Sequence, residues 1–335
     1  MRYSEITLMI EISQQFCGPA KALFPYYQDT TITDILINGT KSLYVEQEGK
    51  LIPLPPVFQK NSEVSDFVER LLYPIGKRVD ALQPYIDGRL LDGARFHIIL
   101  PPIAMDGPYI SIRKHREPGS ILLEDFGSES ALNWLRQNLI RRTNILVCGG
   151  TGAGKTTLMG RLIEHVSPFE RIALVEETAE INAIHPHIVR LECRPSTPEG
   201  VGAVSARTLI KNALRMRPDR IVLGECRGEE AFDLLQALNT GHSGSMGTLH
   251  ANSCLDALKR LESLVLLTGY DLNYKTVRSW ISTSINAVVF MEKRGKKRVI
   301  CEIIEISGLE GEHYRFSPIL CPPVALSLKR EGCIG

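Results

Sequence analysis

The stretch Asn144-Ile145-Leu146-Val147-Cys148-Gly149-Gly150-Thr151-Gly152-Ala153-Gly154-Lys155-Thr156 decides how this chain reads. Its opening, through Cys148, has the continuous apolar character of a strand in a parallel sheet covered on both faces. Residues 149–156 then match G-x-x-x-x-G-K-[ST] in full, and Leu158, Met159, Leu162 and Ile163 follow on one side of a helix. Glycines let the backbone curl until several N–H groups face one concave point, and the dipole of the following helix adds positive potential there. Gly150, Thr151, Gly152, Ala153, Gly154, Lys155, Thr156 and Thr157 are therefore expected to cradle a polyphosphate. Lys155 would reach the β- and γ-phosphates, and Thr156 would ligate Mg²⁺ through its hydroxyl. ATP with Mg²⁺ is the expected ligand. GTP is disfavoured, because no Asn-Lys-x-Asp guanine-reading motif is present.

Such a loop needs a carboxylate at the end of another buried strand. Ile221-Val222-Leu223-Gly224-Glu225 supplies it, which makes Glu225 the candidate to orient and deprotonate an attacking water. Val175-Glu176-Glu177-Thr178-Ala179-Glu180 gathers carboxylates after a further strand. Glu176 holding a Mg²⁺-bound water and a merely solvated acidic turn are even readings of that spacing. In Gly241-His242-Ser243-Gly244-Ser245-Met246-Gly247-Thr248-Leu249-His250, two histidines bracket a Gly/Ser loop that enters a strand. A γ-phosphate sensor is one reading, since imidazole can donate to a phosphate oxygen. Metal ligation by the pair is its rival, with no third ligand nearby in sequence.

Around this centre the pattern alternates helices with short buried strands at 172–175, 188–191 and 221–223, which predicts an α/β layer with a mostly parallel sheet. Helices are expected around Leu209–Leu214, from Glu229 to Asn239, and over Leu255–Val265 with Ser253 and Asp256 as its capping pair. A β-hairpin from about Ala287 to Ile306 closes the domain. Residues 1–117 read instead as a smaller N-terminal α+β domain. It holds a strand at Ile32–Ile37 ended by Asn38-Gly39, hairpins at Glu48-Gly49 and Asp92-Gly93, and a helix behind Asn61-Ser62. Pro101-Pro102 ends the return strand of the second hairpin, the strand Tyr109–Arg113 follows, and a linker at 118–130 leads to the domain of 131–335.

Composition narrows the class. The 335 residues carry 39 basic and 38 acidic side chains, a formal net charge of +1, which gives no whole-protein field for nucleic acid. The densest basic cluster, Lys293-Arg294-Gly295-Lys296-Lys297-Arg298, reads as a solvated hairpin turn, with a phospholipid or acidic-partner contact as the minority reading. Eight cysteines include no C-x-x-C pair, so neither a zinc site nor a disulfide framework is expected, and a reducing cytosol fits. No apolar run approaches the ~20 residues of a membrane span, and Glu5 and Glu11 interrupt anything like a signal peptide. The expectation is a cytoplasmic protein with at most peripheral membrane contact.

Taken together, the phosphate loop, the acidic box at Glu176, Ile221-Val222-Leu223-Gly224-Glu225-Cys226-Arg227-Gly228 and the two-histidine box resemble the secretion-ATPase superfamily of type II and type IV secretion, type IV pili and archaeal flagella. Leu214-Arg215-Met216-Arg217-Pro218-Asp219-Arg220 is similar to the run that leads into its second carboxylate strand. Within it, Leu91-Asp92-Gly93-Ala94-Arg95, Ile110-Ser111-Ile112-Arg113-Lys114 and Met246–Asn252 look most like the tight-adherence (Flp) pilus ATPases, with type IV secretion and conjugation ATPases as the nearest rival. The resemblance implies a RecA-like P-loop ATPase domain, a homohexamer, and nucleotide held between that motor and the N-terminal domain. It implies inner-membrane platform proteins as partners. Arg89, Arg95 and Arg113 match arginines that approach the phosphates, Arg95 and Arg113 foremost. Arg227 would pair with an acidic-box carboxylate or act across a subunit interface. His242 and His250 match the histidine box, His250 being the better phosphate contact, and Glu176 matches its metal-supporting carboxylate. Three features depart from the pattern: Glu177 where many members have Asp, no C-x-x-C zinc module, and no long N-terminal extension.

Overall fold

Alternation of apolar and polar residues builds the first of two units, Met1–Glu117 and Pro118–Gly335, into which the chain divides. The computed structural model describes residues 3–114, 121–194, 196, 201–295 and 297–321, with side chains from residue 8 onward. In the first unit, α1 (Tyr3–Gln15) and α2 (Phe24–Gln28) precede β1 (Ile32–Asn38), β2 (Ser42–Gln47) and β3 (Lys50–Leu54). Then come α3 (Asn61–Leu72), β4 (Tyr85–Arg89), β5 (Arg95–Ile99) and β6 (Tyr109–Arg113). The strands form one antiparallel sheet in the order β3-β2-β1-β6-β5-β4. Its buried face presents Ile35, Ile37, Val45, Phe96, Ile98, Ile110 and Ile112 to Ile12 of α1, Phe16 just after it, and Phe67 and Leu71 of α3. The start of α3 is held differently from the expected cap. Lys60 is the N-cap residue, and Glu63 reaches back to accept the N–H groups of Gln59 at 2.7 Å and Lys60 at 3.2 Å.

In the second unit a 3₁₀ turn at Leu123–Phe126 leads into α4 (Glu129–Ile140), β7 (Ile145–Gly149), α5 (Lys155–Glu164), β8 (Ile172–Glu176) and β9 (Ile188–Glu192). They are followed by α6 (Ala206–Ala213), β10 (Arg220–Cys226), α7 (Glu230–Asn239), β11 (Met246–Leu249), α8 (Cys254–Leu266) and α9 (Tyr274–Ser284). Strands β12 (Ala287–Arg294), β13 (Lys297–Glu310) and β14 (His313–Leu320) end the described chain. The sheet order is β14-β13-β12-β7-β11-β10-β8-β9. All strands from β12 to β9 pair in parallel, and only β13 and β14 run antiparallel.

The continuous apolar runs follow from burial on both faces. Leu146 and Cys148 of β7 face a core with α7, α8 and α9, while Ile145 and Val147 face another with α4 and α5. Ser253 caps α8 through the Asp256 N–H at 3.0 Å, as its sequence signature predicts. Of the stretch read as a linker, residues 118–120 lie outside the described residues, whereas Leu123 and Phe126 are buried in the α4–α5 core. Helix α9 lies before the expected closing hairpin and strand β14 after it, and neither was expected. Helix α9 buries only Val277, Ile281 and Ser284, too sparse a stripe to announce itself.

At the N-terminal edge of the sheet, polar groups replace the core. Arg220, 1% exposed, donates to Glu170 at 2.8 and 2.9 Å and to the carbonyls of Gly244 and Leu139. Asn144 accepts from the N–H groups of Gly244 and Ser245 and donates to Ser284 O. Removing one partner of a buried charge pair costs about 3–5 kcal/mol, so Arg220→Ala is expected to lower the melting temperature of the second unit clearly. Arg142→Ala, which removes a more exposed arm of the same network, should cost no more than about 1 kcal/mol. Equal losses in thermal melts of the two variants would contradict this ranking.

Candidate functional site

Parallel strands end on the same side, and that rule assembles the site. Cys148 pairs with Leu249, Leu249 with Cys226, and Leu223 with Val175, so β7, β11, β10 and β8 finish at one edge. The loop 149–156, His250, Glu225 and Glu176 all stand there. The loop is shaped by glycine: Gly152 and Gly154 have φ of 72° and 94°, a region disfavoured for residues with a Cβ. Gly154 is the N-cap of α5 and supplies no side-chain hydrogen bond. The first amides of a helix have no intrahelical acceptor, so this terminus is built to receive an anion. Thr156 and Thr157 lie half-buried in that first turn, and Thr151 and Gly152 are exposed.

Lys155 is buried, and its Nζ donates to Gly149 O and Gly150 O, both at 3.0 Å. It also lies 3.5 Å from His250 Nε2. Burial pushes the Lys155 pKa down, and the Glu225 carboxylate opposes that shift. Glu225 is held on both sides: Arg227 Nε donates to Oε2 at 2.6 Å, and His250 Nε2 stands 2.6 Å from Oε1. Burial, then the Lys155 charge, lowers the His250 pKa, with Glu225 pulling the other way.

Arg227 also donates from Nη1 to Glu177 Oε2 at 2.6 Å, so it clamps the acidic box to the end of β10. Glu176 is 3% exposed, and its Oε1 accepts the N–H groups of Glu180 at 2.8 Å and Ile181 at 2.7 Å. Burial raises its pKa against those two amides. Neither even reading of the acidic box was a buried anchor, yet Glu176 pins the loop after β8 while Glu177 forms the surface ion pair. Gly224 is required beside it, because a Cβ there would stand 2.9 Å from Glu176 Cγ. Thr156 and Glu176 offer oxygen donors, which suits a hard cation that takes one or two protein oxygens and completes its shell with phosphate and water.

The histidine box separates. His250 joins the site, but His242 sits before β11, at the opposite edge, with Nδ1 3.2 Å from Ala237 O at the end of α7. Four residues of β11 intervene, about 13 Å at ~3.3 Å per residue. Within this chain His242, expected to bind cofactor, is a helix-end contact apart from the phosphate loop, and the two histidines do not form a metal-ligand pair.

In the first unit, Arg89 pairs with Arg95 across β4–β5, Arg95 with Arg113 across β5–β6, and Arg113 with Asp34 of β1. Directly opposed residues share a sheet face, so the three expected arginines form one cross-strand row. Asp34 Oδ1 lies 4.0 Å from Arg113 Nε. Sequence reading also missed Arg298 of β13, whose Nε donates to Gly152 O at 3.2 Å. A basic turn gives no hint of which of its side chains folds inward.

Residues 20–294 match the family model described as type II/IV secretion system protein. A putative conjugal transfer protein of Mycobacterium tuberculosis (strain H37Rv) is 37% identical over 320 residues, 92% of this chain and 90% of that protein. The conjugal transfer protein TrbB of Rhizobium radiobacter is 33% identical, covering 86% of this chain and 87% of its own length. The X-ray structure of the ATPase DotB of Yersinia pseudotuberculosis shares the fold, with a TM-score of 0.62 at 18% identity over 87% of this chain and 80% of that one. The two-sheet architecture with its RecA-like second unit is thus a known one, and the chain belongs to the family of type II/IV secretion system proteins.

Proposed function

We propose that this protein is a Mg²⁺-dependent ATP hydrolase that works as a homohexameric motor of a secretion or pilus machine. The observation that carries the reading is the meeting, at one sheet edge, of the glycine-rich turn before α5 with Lys155, Glu225 and His250. The loop from Gly150 to Gly154 wraps the β-phosphate with its amides, and Thr157 adds its own N–H. Lys155 exchanges the carbonyls of Gly149 and Gly150 for β- and γ-oxygens. Thr156 and Glu176 hold Mg²⁺, directly or through water. Bound with the triphosphate, that ion neutralises charge on the β- and γ-oxygens. Glu225 orients the attacking water and takes its proton. His250, beside both Glu225 and Lys155, donates to the γ-phosphate. Arg227 keeps the Glu225 carboxylate in place. Arg95 and Arg113, with Arg89 next in the row, act on the phosphates of the same or a neighbouring subunit.

The relatives' names favour conjugation-type or type IV secretion machinery. A tight-adherence pilus is the second reading, favoured by the segments at Leu91–Arg95, Ile110–Lys114 and Met246–Asn252. In both, inner-membrane platform proteins receive the force, and the motor works in the cytoplasm against the membrane face. Among the described residues no helix is long and apolar enough to cross a membrane. With a formal net charge of +1, hydrolysis driven by direct DNA binding is the less favoured route.

Calorimetry and phosphate release test the central claim. Lys155→Ala is expected to abolish Mg-ATP binding. Glu225→Gln should bind normally yet lose hydrolysis by about 10²-fold or more, the scale of general-base catalysis. Normal turnover by Glu225→Gln would remove the general-base assignment, and absence of any binding heat in the wild type would remove the function itself. For the arginine row, Arg113→Ala and Arg95→Ala should keep binding and lower kcat by about 10³-fold for whichever residue contacts the γ-phosphate. Unchanged kcat in both would exclude the row from the reaction.

His250 gives a pH test. Its folded pKa is depressed, so its stabilising contribution is present above the ordinary value near ~6.5 and is lost as pH falls through the folded value. A triphosphate beside the ring would raise that pKa, so binding takes up a proton and affinity rises as pH falls from about 7.5 towards 6. NMR titration of the His250 ring should show a midpoint below the ordinary value without nucleotide and an upward shift with Mg-ATP. A ring whose midpoint ignores the nucleotide does not face the phosphates.

A further inference from the structure

The basic turn between β12 and β13 touches the phosphate loop through Arg298. Its Nε donates to Gly152 O at 3.2 Å. Its stem lies against Gly154: a Cβ built on that glycine would stand 2.6 Å from Arg298 Cδ, 3.2 Å from Cβ and 3.3 Å from Cγ. The same hairpin is joined to the base of the loop, because Met291 of β12 pairs with Gly149. Between these two attachments, Gly150, Thr151 and Ala153 face Phe290, Met291, Glu292 and Lys293 across a cavity of about 420 Å³. The loop is thus tied to the hairpin at its start by strand pairing and at Gly152–Gly154 by one side chain.

We propose that Arg298 is a positioning residue of the phosphate loop, bracing Gly152 and Gly154 from outside so that the loop amides converge before a triphosphate arrives. A trans peptide sets its C=O and N–H in opposite directions. Holding the Gly152 carbonyl therefore fixes the Ala153 N–H of the same peptide on the other side, where it closes the loop's turn onto Gly150 O at 3.3 Å. The aliphatic stem fills the side of Gly154 on which any Cβ would collide. That contact fixes the left-handed turn (φ 94°) from which α5 departs. A brace of this kind lowers the ordering cost of binding and contributes little to the bond-breaking step. The proposal rests on the loop binding ATP.

The test uses the full chain, with Mg-ATP titrated calorimetrically and turnover measured in parallel at low and high salt. Arg298→Ala is expected to raise Kd and KM by about tenfold, the scale of a lost charge-assisted hydrogen bond, with kcat within about twofold. Arg298→Met keeps the stem but not the donor, so it should fall between wild type and Arg298→Ala. Arg298→Lys keeps stem and charge without the Nε geometry, and should restore binding only in part. The deficits should persist in high salt, since a contact brace is screened far less than a long-range charge. Wild-type affinity in both Arg298→Ala and Arg298→Met overturns the proposal. So does full rescue by lysine, or a loss confined to kcat. If the wild type itself binds no Mg-ATP, the failure lies with the proposed function and not with the brace.

Discussion

The parallel direction of β7, β11, β10 and β8 is the constraint on which the rest depends. A parallel strand delivers the residue after its last apolar position to one fixed edge, whatever the length of chain between strands. Four segments, ending in the glycine loop, His250, Glu225 and Glu176, therefore meet without any contact between their sequences. Covering both sheet faces with helices is what makes this direction affordable, because every crossover must pass over a face. His242 shows the rule from the other side. Only β11 separates it from His250, yet it stands at the far edge, among groups that close the sheet at Asn144 and Arg220.

Charge at the working edge is arranged in a chain of opposed partners. Lys155 leans on loop carbonyls and His250, His250 on Glu225, Glu225 on Arg227, and Arg227 on Glu177. Partly buried charges persist only when paired, so each group is held in place by the next. The depressed pKa values of Lys155 and His250 share one leading cause, burial. Both groups therefore gain from an anion that enters their pocket. Glu176 does a different job with the same chemical group: it trades its solvation for two backbone amides and fixes the acidic loop.

Much of this was legible in the sequence because the signals are local. The loop's spacing, the apolar run before it and the helical stripe after it each lie within a few residues. Glu225 was legible because a strand end announces itself by the change from apolar to charged residues. What escaped was tertiary. The spacing of His242 and His250 looks like a pair until the strand between them is known to be extended. The acidic box does not reveal that Glu176 points inward and Glu177 outward, which depends on Gly224 leaving room across the sheet. Nor does Lys293–Arg298 reveal that its last arginine turns back onto Gly152. Strand β14 and helix α9 escaped because their buried positions are few, three in α9 and none in β14.

The first unit adds a constraint of its own. Like charges placed directly opposite across strands destabilise a sheet, yet Arg89, Arg95 and Arg113 stand in register on three successive strands. Asp34 lies 4.0 Å from Arg113 at one end of that row, and Arg89 and Arg95 have contacts of their own. The buried face below needs only the residues that alternate with the arginines, Phe96 and Ile112 among them. The arginines lie on the other face of the sheet, where three guanidinium groups stand in register on successive strands. Each unit thus gathers its polar groups by separate physical means: parallel strand ends and a helix start in one, cross-strand register in the other.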